Sequence, residues 1–356
     1  MLDHADFIAK FDKENALGVV AESPAQLALK FEVGDLSGAG GGAGAGDLSG
    51  LAGCKQLVVA GMGGSAQPAE FIKTWLGDRL PVPLVIVRDY TLPAFVGSDT
   101  LVVVSSFSGN TEETLAALAD AEKRGARVVV SGADGKLLER ARAAGYPCLV
   151  LPNIGQPRLA VPAAVKALAT LVEALGWAPG AAAELEAAGA WAAGEVGAWA
   201  AAVPTADNAA KQIAEALVGH AAVVYSGPAL GFLAMRWKIA FNENAKNIAF
   251  YNYLPEMNHN EFIGWGNPEN HGLKVIELRS DLDNDRIIKR FDVVNRLMSN
   301  RFAPIEVHAK GENRLQQMLW TLLLGDFVSI YLSCLNGVDP TPVELVEKFK
   351  VELGKE

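Results

Sequence analysis

The sequence of 356 residues contains few of the side chains that bind metals, with three cysteines and five histidines. The cysteines stand far from one another, and no two histidines have the spacing of a zinc site. The three are Cys54, Cys148 and Cys334, and the first and last lie in or beside apolar runs. We therefore expect no metal site, and we expect reduced, mostly buried thiols of a cytoplasmic protein.

The chain also lacks an excess of positive charge. Its 31 lysines and arginines stand against 41 aspartates and glutamates, a net charge of −10, whereas nucleic-acid surfaces need clustered cations. The first residues have neither the basic nor the apolar region of a secretory signal. The longest apolar run, residues 319–335, is interrupted by Gly325 and Asp326 and is predicted to be a buried helix. We therefore expect a soluble protein with no nucleic acid or membrane as partner.

Short β-branched runs alternate with helical segments along a chain that is long enough for two domains. This alternation predicts an α/β fold with doubly wound parallel sheets. The predicted strands of the first sheet are residues 56–60, 84–87, 101–105, 127–130 and 148–151, and those of the second are residues 222–225, 274–278 and 304–307. Helices are predicted over residues 1–33, 163–203, 232–244 and 312–335.

These elements give predicted domain boundaries. An N-terminal helix and a first α/β domain fall in residues 1–155, connector helices and a second α/β domain in residues 156–340, and a C-terminal helix in residues 341–356. Residues 34–50 are a glycine-rich, low-complexity run that is predicted to be a mobile loop. In the C-terminal helix Thr341 is predicted as the N-cap and the following proline as the first helical residue.

The segment after the third predicted strand, residues 105–114, is dense in hydroxyl groups. Ser106, Ser108 and Thr111 lie there, before a helix whose first turn is acidic. The N-terminus of a helix offers unpaired N–H groups and a positive dipole end, and small hydroxyls add donors around it. We therefore predict a phosphate site here in preference to the alternative, a well-capped surface turn.

A glycine turn follows the first predicted strand and contains Gly63, Gly64 and Ser65. Glycines let a backbone approach a ligand closely. Ligands of doubly wound sheets bind beyond the carboxyl ends of the strands, which is where both turns stand. Their convergence strengthens the prediction of a phosphate site.

Polar groups in the rest of the chain are candidates for chemistry. Glu243 stands between two asparagines near a helix end, where an isolated glutamate is ordinarily a solvated acid. His259 also stands between two asparagines, a setting too polar for a core histidine, so it is a candidate proton-transfer group. A metal held by His259 with Glu261 is disfavoured. Arg158, at the end of the first predicted domain, is a further candidate functional residue. The alternative is that it forms an ion pair at a domain interface.

Taken together, these segments resemble the bifunctional phosphoglucose/phosphomannose isomerases of the sugar-isomerase (SIS) domain superfamily. The matching stretches span most of the chain in order: residues 61–65, 106–113, 157–158, 242–246, 254–261 and 339–343. The resemblance implies two SIS domains, a C-terminal helix that returns to the active site, and a homodimer. It further implies the interconversion of glucose 6-phosphate, and of mannose 6-phosphate, with fructose 6-phosphate, without a metal or cofactor.

The resemblance also implies roles for substrate-binding residues. Ser106, Ser108 and Thr111 would hold the phosphate. Gly63, Gly64 and Ser65 would line the sugar, although the residues after Ser65 depart from the family pattern. Thr341 would stand where strict glucose isomerases have a bulkier glutamine, which leaves room for the C2 epimer.

Four further residues would carry the chemistry by the same resemblance. Glu243 would move a proton between C2 and C1 through a cis-enediolate, and Arg158 would stabilise the negative charge that develops. His259, supplied by the partner subunit, would open the pyranose ring with help from Lys348. Lys350 is an alternative for this lysine, but Lys348 is preferred because seven residues, two helical turns, separate it from Thr341.

Two other functions are compatible with the same segments. One is a non-catalytic SIS sensor of a sugar phosphate, although such sensors usually carry a DNA-binding helix-turn-helix and have no need of Glu243, His259 and Lys348 together. The other is an SIS enzyme that acts on a different sugar phosphate. Glutamine-dependent versions need an N-terminal cysteine, whereas the first cysteine here is Cys54.

Overall fold

The computed structural model describes residues 1–33, 48–266 and 272–354. The predicted loop at residues 34–50 lies, up to residue 47, outside the described residues. The chain forms two compact units. The central unit is Ser23–Ala190, and the terminal unit is Met1–Glu22 together with Trp191–Glu356.

Helices and strands alternate through both units. In chain order the strands are β1 (Gln56–Gly61), β2 (Leu84–Val87), β3 (Thr100–Ser105), β4 (Arg127–Gly132), β5 (Cys148–Val150), β6 (Ala221–Ser226), β7 (Ala249–Tyr253), β8 (Leu273–Arg279) and β9 (Ile305–His308). The α-helices are α1 (Ala5–Phe11), α2 (Ala16–Glu22), α3 (Ser49–Ala52), α4 (Gln67–Leu76), α5 (Glu112–Lys123), α6 (Lys136–Ala144), α7 (Val161–Ala174), α8 (Ala181–Glu195), α9 (Ala209–Leu217), α10 (Leu233–Glu243), α11 (Glu261–Gly264), α12 (Asp285–Leu297), α13 (Arg314–Leu335) and α14 (Glu344–Leu353).

The central unit is built on a parallel sheet with the strand order β2-β1-β3-β4-β5, and all five of its predicted strands are present. Every residue of β3 is buried, because a parallel sheet is covered on both faces. Alternate valines of β3 and β4 pack with leucines of α5 and α6 in one core. Gly61, which ends β1, is in register with Ser105, which ends β3. The glycine turn and the hydroxyl turn therefore leave the sheet side by side.

The terminal unit has a parallel sheet with the strand order β7-β6-β8-β9. β6, β8 and β9 coincide with predicted strands, whereas β7 was not predicted. Its sequence, Ala-Phe-Tyr-Asn-Tyr, has no β-branched run, and as an edge strand it leaves Phe250 56% exposed. The core between this sheet and α12 is rich in aromatic and large aliphatic side chains, such as Tyr225, Trp265 and Phe291.

The central helix of the terminal unit is α13, which has the length and hydropathy of a membrane span. However, 94% of its most apolar window is buried inside the protein, which fits the predicted buried helix. α1, α2, α9 and α10 pack against it, and this packing places Met1–Glu22 in the terminal unit. α7 packs against α4 and so belongs to the central unit. The compact units therefore divide the chain elsewhere than the predicted boundaries at residues 155–156 and 340–341.

The C-terminal helix begins later than predicted. α14 starts at Glu344, and Val343 is its N-cap residue, so the prediction that Thr341 caps this helix is wrong. The Asp339 carboxylate instead accepts a hydrogen bond from the Thr341 N–H at 3.0 Å, which holds residues 339–341 in a turn. The helical spacing that favoured Lys348 over Lys350 does not apply, because Thr341 lies outside the helix.

Candidate active site

In the central unit the glycine turn and the hydroxyl turn are joined by a hydrogen bond. The Phe107 N–H donates to Ser65 Oγ at 3.0 Å. Ser65 ends a single 3₁₀ turn, Gly63–Ser65, which β1 places directly beside the end of β3. The two turns that were predicted to converge therefore do so, and they form one continuous rim at the carboxyl end of the sheet.

The hydroxyl turn has the composition of an anion site. Ser106 Oγ and Thr111 Oγ1 lie 3.0 Å apart, so each hydroxyl already holds the other in place. Ser108 is exposed, and its Oγ accepts from the Asn110 N–H at 3.4 Å. Thr111 is the N-cap residue of α5, but its side chain makes no capping bond. Hydroxyls and the first-turn N–H groups of α5 are thus available to an oxyanion.

Arg158 lies in the same unit, on the 3₁₀ turn Pro157–Leu159, and is only 3% exposed. Its Nη1 donates to Gln156 Oε1 at 3.1 Å. The backbone of residues 157–158 passes so close to Gly64 that a Cβ there would lie 3.2 Å from Arg158 N. Because a side chain at position 64 would crowd this approach, Gly64 is what allows the Arg158 segment to reach the glycine turn.

In the terminal unit the Asn-Glu-Asn-Ala-Lys segment is held by its polar side chains. Asn242 Oδ1 accepts from the Ala249 N–H at 3.0 Å, and Asn244 Nδ2 donates to Ser329 Oγ of α13 at 2.8 Å. Lys246 Nζ donates to the carbonyls of Asp339 and Pro340 at 2.6 and 3.1 Å. These bonds fix the end of α10, whose last residue is the half-buried Glu243.

Glu243 faces a cavity of about 1030 Å³ within the terminal unit. Lys348 of α14 lines the same cavity, whereas Lys350 makes an ion pair with Glu347 at 2.7 Å. The position of Lys348 at the cavity therefore favours it over Lys350. This argument does not depend on the helical spacing from Thr341. Thr341 is buried at 5% exposure, next to the two carbonyls that Lys246 binds. Lys246 thus joins the segment that contains Glu243 to the segment that contains Thr341.

His259 is exposed and ends the 3₁₀ turn Glu256–His259. Among the described residues none forms a hydrogen bond or an ion pair with its imidazole. Its neighbours are anchored: Met257 is 1% exposed, and Asn258 Oδ1 accepts from Arg290 Nη1 at 3.1 Å. The loop therefore presents one titratable ring to its surroundings on a fixed backbone.

Comparison with known proteins decides the family. The family model described as the bacterial phospho-glucose isomerase C-terminal SIS domain matches residues 206–353, and the SIS domain model matches residues 50–135. A bifunctional phosphoglucose/phosphomannose isomerase from Aquifex aeolicus is 36% identical over 304 residues, which cover 85% of this chain and 91% of that protein. The chain belongs to the bifunctional phosphoglucose/phosphomannose isomerase family.

Two further comparisons show how widely this architecture is used. A D-glucosamine-6-phosphate 4-epimerase from Sulfolobus acidocaldarius is 33% identical over 236 residues, 66% of this chain and 72% of that protein. A crystal structure of a glucose-6-phosphate isomerase like protein from Thermus thermophilus has a TM-score of 0.63 over 98% of both chains, at 20% identity. At that identity the likeness shows the fold alone. The predicted SIS fold, the predicted family and the prediction of an isomerase are confirmed.

Two residues of this chain, Lys246 and Glu261, make hydrogen bonds that the sequence motifs do not predict. Lys246 ends the motif at residues 242–246, and its ammonium holds the segment before Thr341. The motif that contains Glu261 offers it only as a disfavoured metal ligand, and within the described ranges no three His, Cys, Asp or Glu side chains are grouped to hold a metal. Its carboxylate instead accepts hydrogen bonds from Tyr225 and Asn252. These partners are distant in sequence, and so no local pattern reveals them.

Proposed function

We propose that this isomerase interconverts glucose 6-phosphate and mannose 6-phosphate with fructose 6-phosphate in the cytoplasm, without a metal or cofactor. The observation that carries the proposal is the cavity that Glu243 and Lys348 both line. A carboxylate base and a lysine on one cavity suit proton transfer on a sugar. The hydroxyl turn of the central unit supplies the kind of site that a phosphate needs.

The phosphate of the substrate is bound by Ser106, Ser108 and Thr111 in this proposal. Their hydroxyls donate to phosphate oxygens, and the N-terminus of α5 adds N–H groups and its dipole. Gly63, Gly64 and Ser65 line the sugar. The joined rim of the two turns supports this division, because the phosphate and the sugar of one substrate can lie along it.

Glu243 is the base. Its carboxylate removes the proton from C2 of the open-chain aldose. The electron pair of the C–H bond forms the C1–C2 double bond of a cis-enediolate, and the π pair of the C1 carbonyl moves to O1. The same group then returns the proton to C1, while the proton of the O2 hydroxyl passes to O1, so that O2 becomes the ketone oxygen and O1 a hydroxyl. The Arg158 guanidinium stabilises the negative charge of the enediolate and restrains water.

His259 and Lys348 open the pyranose ring before this step. His259 comes from the partner subunit of a homodimer, in keeping with its exposure and its unengaged imidazole among the described residues. Thr341 leaves room for either configuration at C2. Thr341 is buried, and Lys246 binds the carbonyl of the residue before it. Both observations support a side chain held in one position beside C2.

The decisive experiment compares the protein with its Glu243→Gln variant in EDTA. Fructose 6-phosphate formation is measured with glucose 6-phosphate and mannose 6-phosphate separately, and glucosamine 6-phosphate is followed for epimerisation. We expect turnover of the first two substrates, and a loss of roughly 10²–10⁴-fold in kcat for Glu243→Gln with substrate binding retained. Glu215→Gln, at an exposed acid on α9, is the matched control.

Normal turnover by Glu243→Gln would show that another group is the base. Binding without turnover of either hexose phosphate would favour a sensor. Conversion of glucosamine 6-phosphate alone would place the chain with the epimerase relative.

A further inference from the structure

Glu261, two residues after His259, is the centre of a hydrogen-bond network inside the terminal unit. Its carboxylate accepts a short hydrogen bond from the Tyr225 hydroxyl and a second one from Asn252 Nδ2 at 2.6 Å. Trp265 Nε1 donates to the Tyr225 hydroxyl oxygen at 2.9 Å. Tyr225 lies in the core at 0% exposure and Trp265 is 8% exposed, so this network ties the start of α11 to strands β6 and β7.

The direction of every hydrogen bond in this network is fixed. An indole N–H can only donate, so Tyr225 accepts from Trp265 and must give its own hydrogen to Glu261. Asn252 Oδ1 already accepts from the Tyr253 N–H at 2.8 Å, so the Asn252 amide must present its NH₂ to Glu261. Position 261 therefore has to accept on both of its oxygens. The two oxygens of a carboxylate can do this, whereas a glutamine would set an NH₂ against one of the two donors.

The loop around His259 is held by the side-chain amide of Asn260. Asn260 Nδ2 donates to Glu256 Oε1 at 2.5 Å, and Asn260 Oδ1 accepts from the Glu261 N–H at 2.6 Å. Asn260 thus bridges the 3₁₀ turn that ends at His259 and the helix that starts at Glu261. The fixed carboxylate of Glu261 is one residue from this bridge, and so the position of the His259 backbone follows from it.

We infer that Glu261 is the positioning residue of His259: the network of Tyr225, Asn252 and Trp265 fixes Glu261, and the Asn260 bridge in turn fixes the backbone from which the His259 ring reaches the sugar ring oxygen. The inference rests on the proposed ring-opening role of His259. Both oxygens of Glu261 are hydrogen-bonded within the core network, so we assign Glu261 a positioning role and not a catalytic one. These hydrogen bonds account for Glu261 in the motif without a role as a metal ligand.

A ring-opening defect can be separated from a general defect by the choice of substrate. Erythrose 4-phosphate is an aldose phosphate whose terminal oxygen carries the phosphate, so no hydroxyl is placed to close a five- or six-membered ring. Its C2 proton exchanges with D₂O through Glu243 without ring opening. We would measure this exchange by NMR, together with turnover of glucose 6-phosphate, for His259→Ala, Glu261→Gln and Tyr225→Phe, with Glu215→Gln as control.

We expect Glu261→Gln to lower kcat/KM for glucose 6-phosphate by about tenfold to a hundredfold, the range for losing hydrogen bonds to a charged group. Exchange of erythrose 4-phosphate should stay within about twofold of the parent protein. Tyr225→Phe should give the same selective loss, and it serves as the readout if Glu261→Gln does not fold. His259→Ala combined with Glu261→Gln should be no slower than His259→Ala alone, because both act on one step.

Two results would overturn the inference, and they can be told apart. If His259→Ala is selective but Glu261→Gln and Tyr225→Phe slow both substrates equally, Glu261 is a structural residue and the ring-opening role of His259 stands. If His259→Ala itself slows both substrates equally, the ring-opening role fails, and the positioning role fails with it.

Discussion

The phosphate assignment can be tested by removing the two hydroxyls that hold each other in the turn after β3. We predict that Ser106→Ala and Thr111→Val each weaken binding of inorganic phosphate and raise KM for glucose 6-phosphate, with little change in kcat. Ser106 Oγ and Thr111 Oγ1 are 3.0 Å apart, so a phosphate oxygen that reaches one lies close to the other. A loss confined to KM follows because the phosphate is bound equally in the ground state and the transition state.

The magnitude follows from the charge of the ligand. A hydrogen bond to a charged group contributes about 1.5–3 kcal/mol, which corresponds to about a tenfold to hundredfold change in a dissociation constant. The double variant should lose less than the product of the two single effects, because the residues share a hydrogen bond and are not independent. Thr111→Val costs no helix cap, since the Thr111 side chain makes no capping bond.

Inorganic phosphate is the probe, used as a competitive inhibitor at constant ionic strength. The matched control is Thr100→Val, which removes a hydroxyl from the opposite end of the same strand, where Thr100 Oγ1 donates to Gln56 at 3.0 Å. That variant should lower the unfolding midpoint without changing the inhibition constant. The phosphate assignment would be refuted if Ser106→Ala and Thr111→Val left the inhibition constant for phosphate as unchanged as Thr100→Val does.

Two other predictions concern the terminal unit. Thr341→Gln should reduce kcat/KM for mannose 6-phosphate more than for glucose 6-phosphate, because a longer side chain at this buried position narrows the space at C2; equal losses in parallel assays would remove Thr341 as the epimer gate. Hydrogen bonds from the buried Lys211 ammonium and from Thr205 hold the pKa of Asp3 at about 2. Since an unfolded aspartate titrates near about 4, this contribution to stability is complete above that pH and is lost as the pH falls toward about 2. Urea unfolding at several acidic pH values should therefore show a steeper acid loss for the parent protein than for Asp3→Asn; superimposable slopes would contradict the link.

Much of the central unit follows from the sequence because its signals are local. The β-branched runs predict its strands, and a parallel sheet brings the ends of β1 and β3 together once both are recognised. The bond between Ser65 and Phe107 is the direct consequence. The family motifs identify the residues to examine, but the geometry around them comes from the fold.

The terminal unit shows where local signals fail. β7 has an aromatic, exposed sequence because it is an edge strand, and this pattern does not distinguish it from a loop. Thr341 has the sequence of an N-cap, yet the carbonyls before it are held by Lys246, which stands far earlier in the chain, and the helix begins after that anchor. α1 and α2 join this unit because α13 offers them an apolar surface, which no pattern near the N-terminus can reveal.

The two sheets differ in the turns that follow their corresponding strands. In the sheet of the terminal unit β8 has the place that β3 has in the central unit, beside the first strand of its sheet. The turn after β3 contains hydroxyls, whereas the turn after β8 contains the exposed Asp281 and the buried Asp283 before the acidic start of α12. A phosphate dianion would be repelled there.

In the terminal unit a backbone N–H group in the turn after β6 is already bound by a carboxylate of the same unit. Asp283 is 7% exposed, and its Oδ1 accepts from the Ala229 N–H, in the turn after β6, at 2.7 Å. The carboxylate comes so near that a Cβ on Gly227 would overlap Asp283 Oδ2, so only glycine fits there. Burial raises the pKa of the Asp283 carboxyl. An internal carboxylate thus occupies the turn after β6, whose counterpart in the central sheet is the glycine turn after β1.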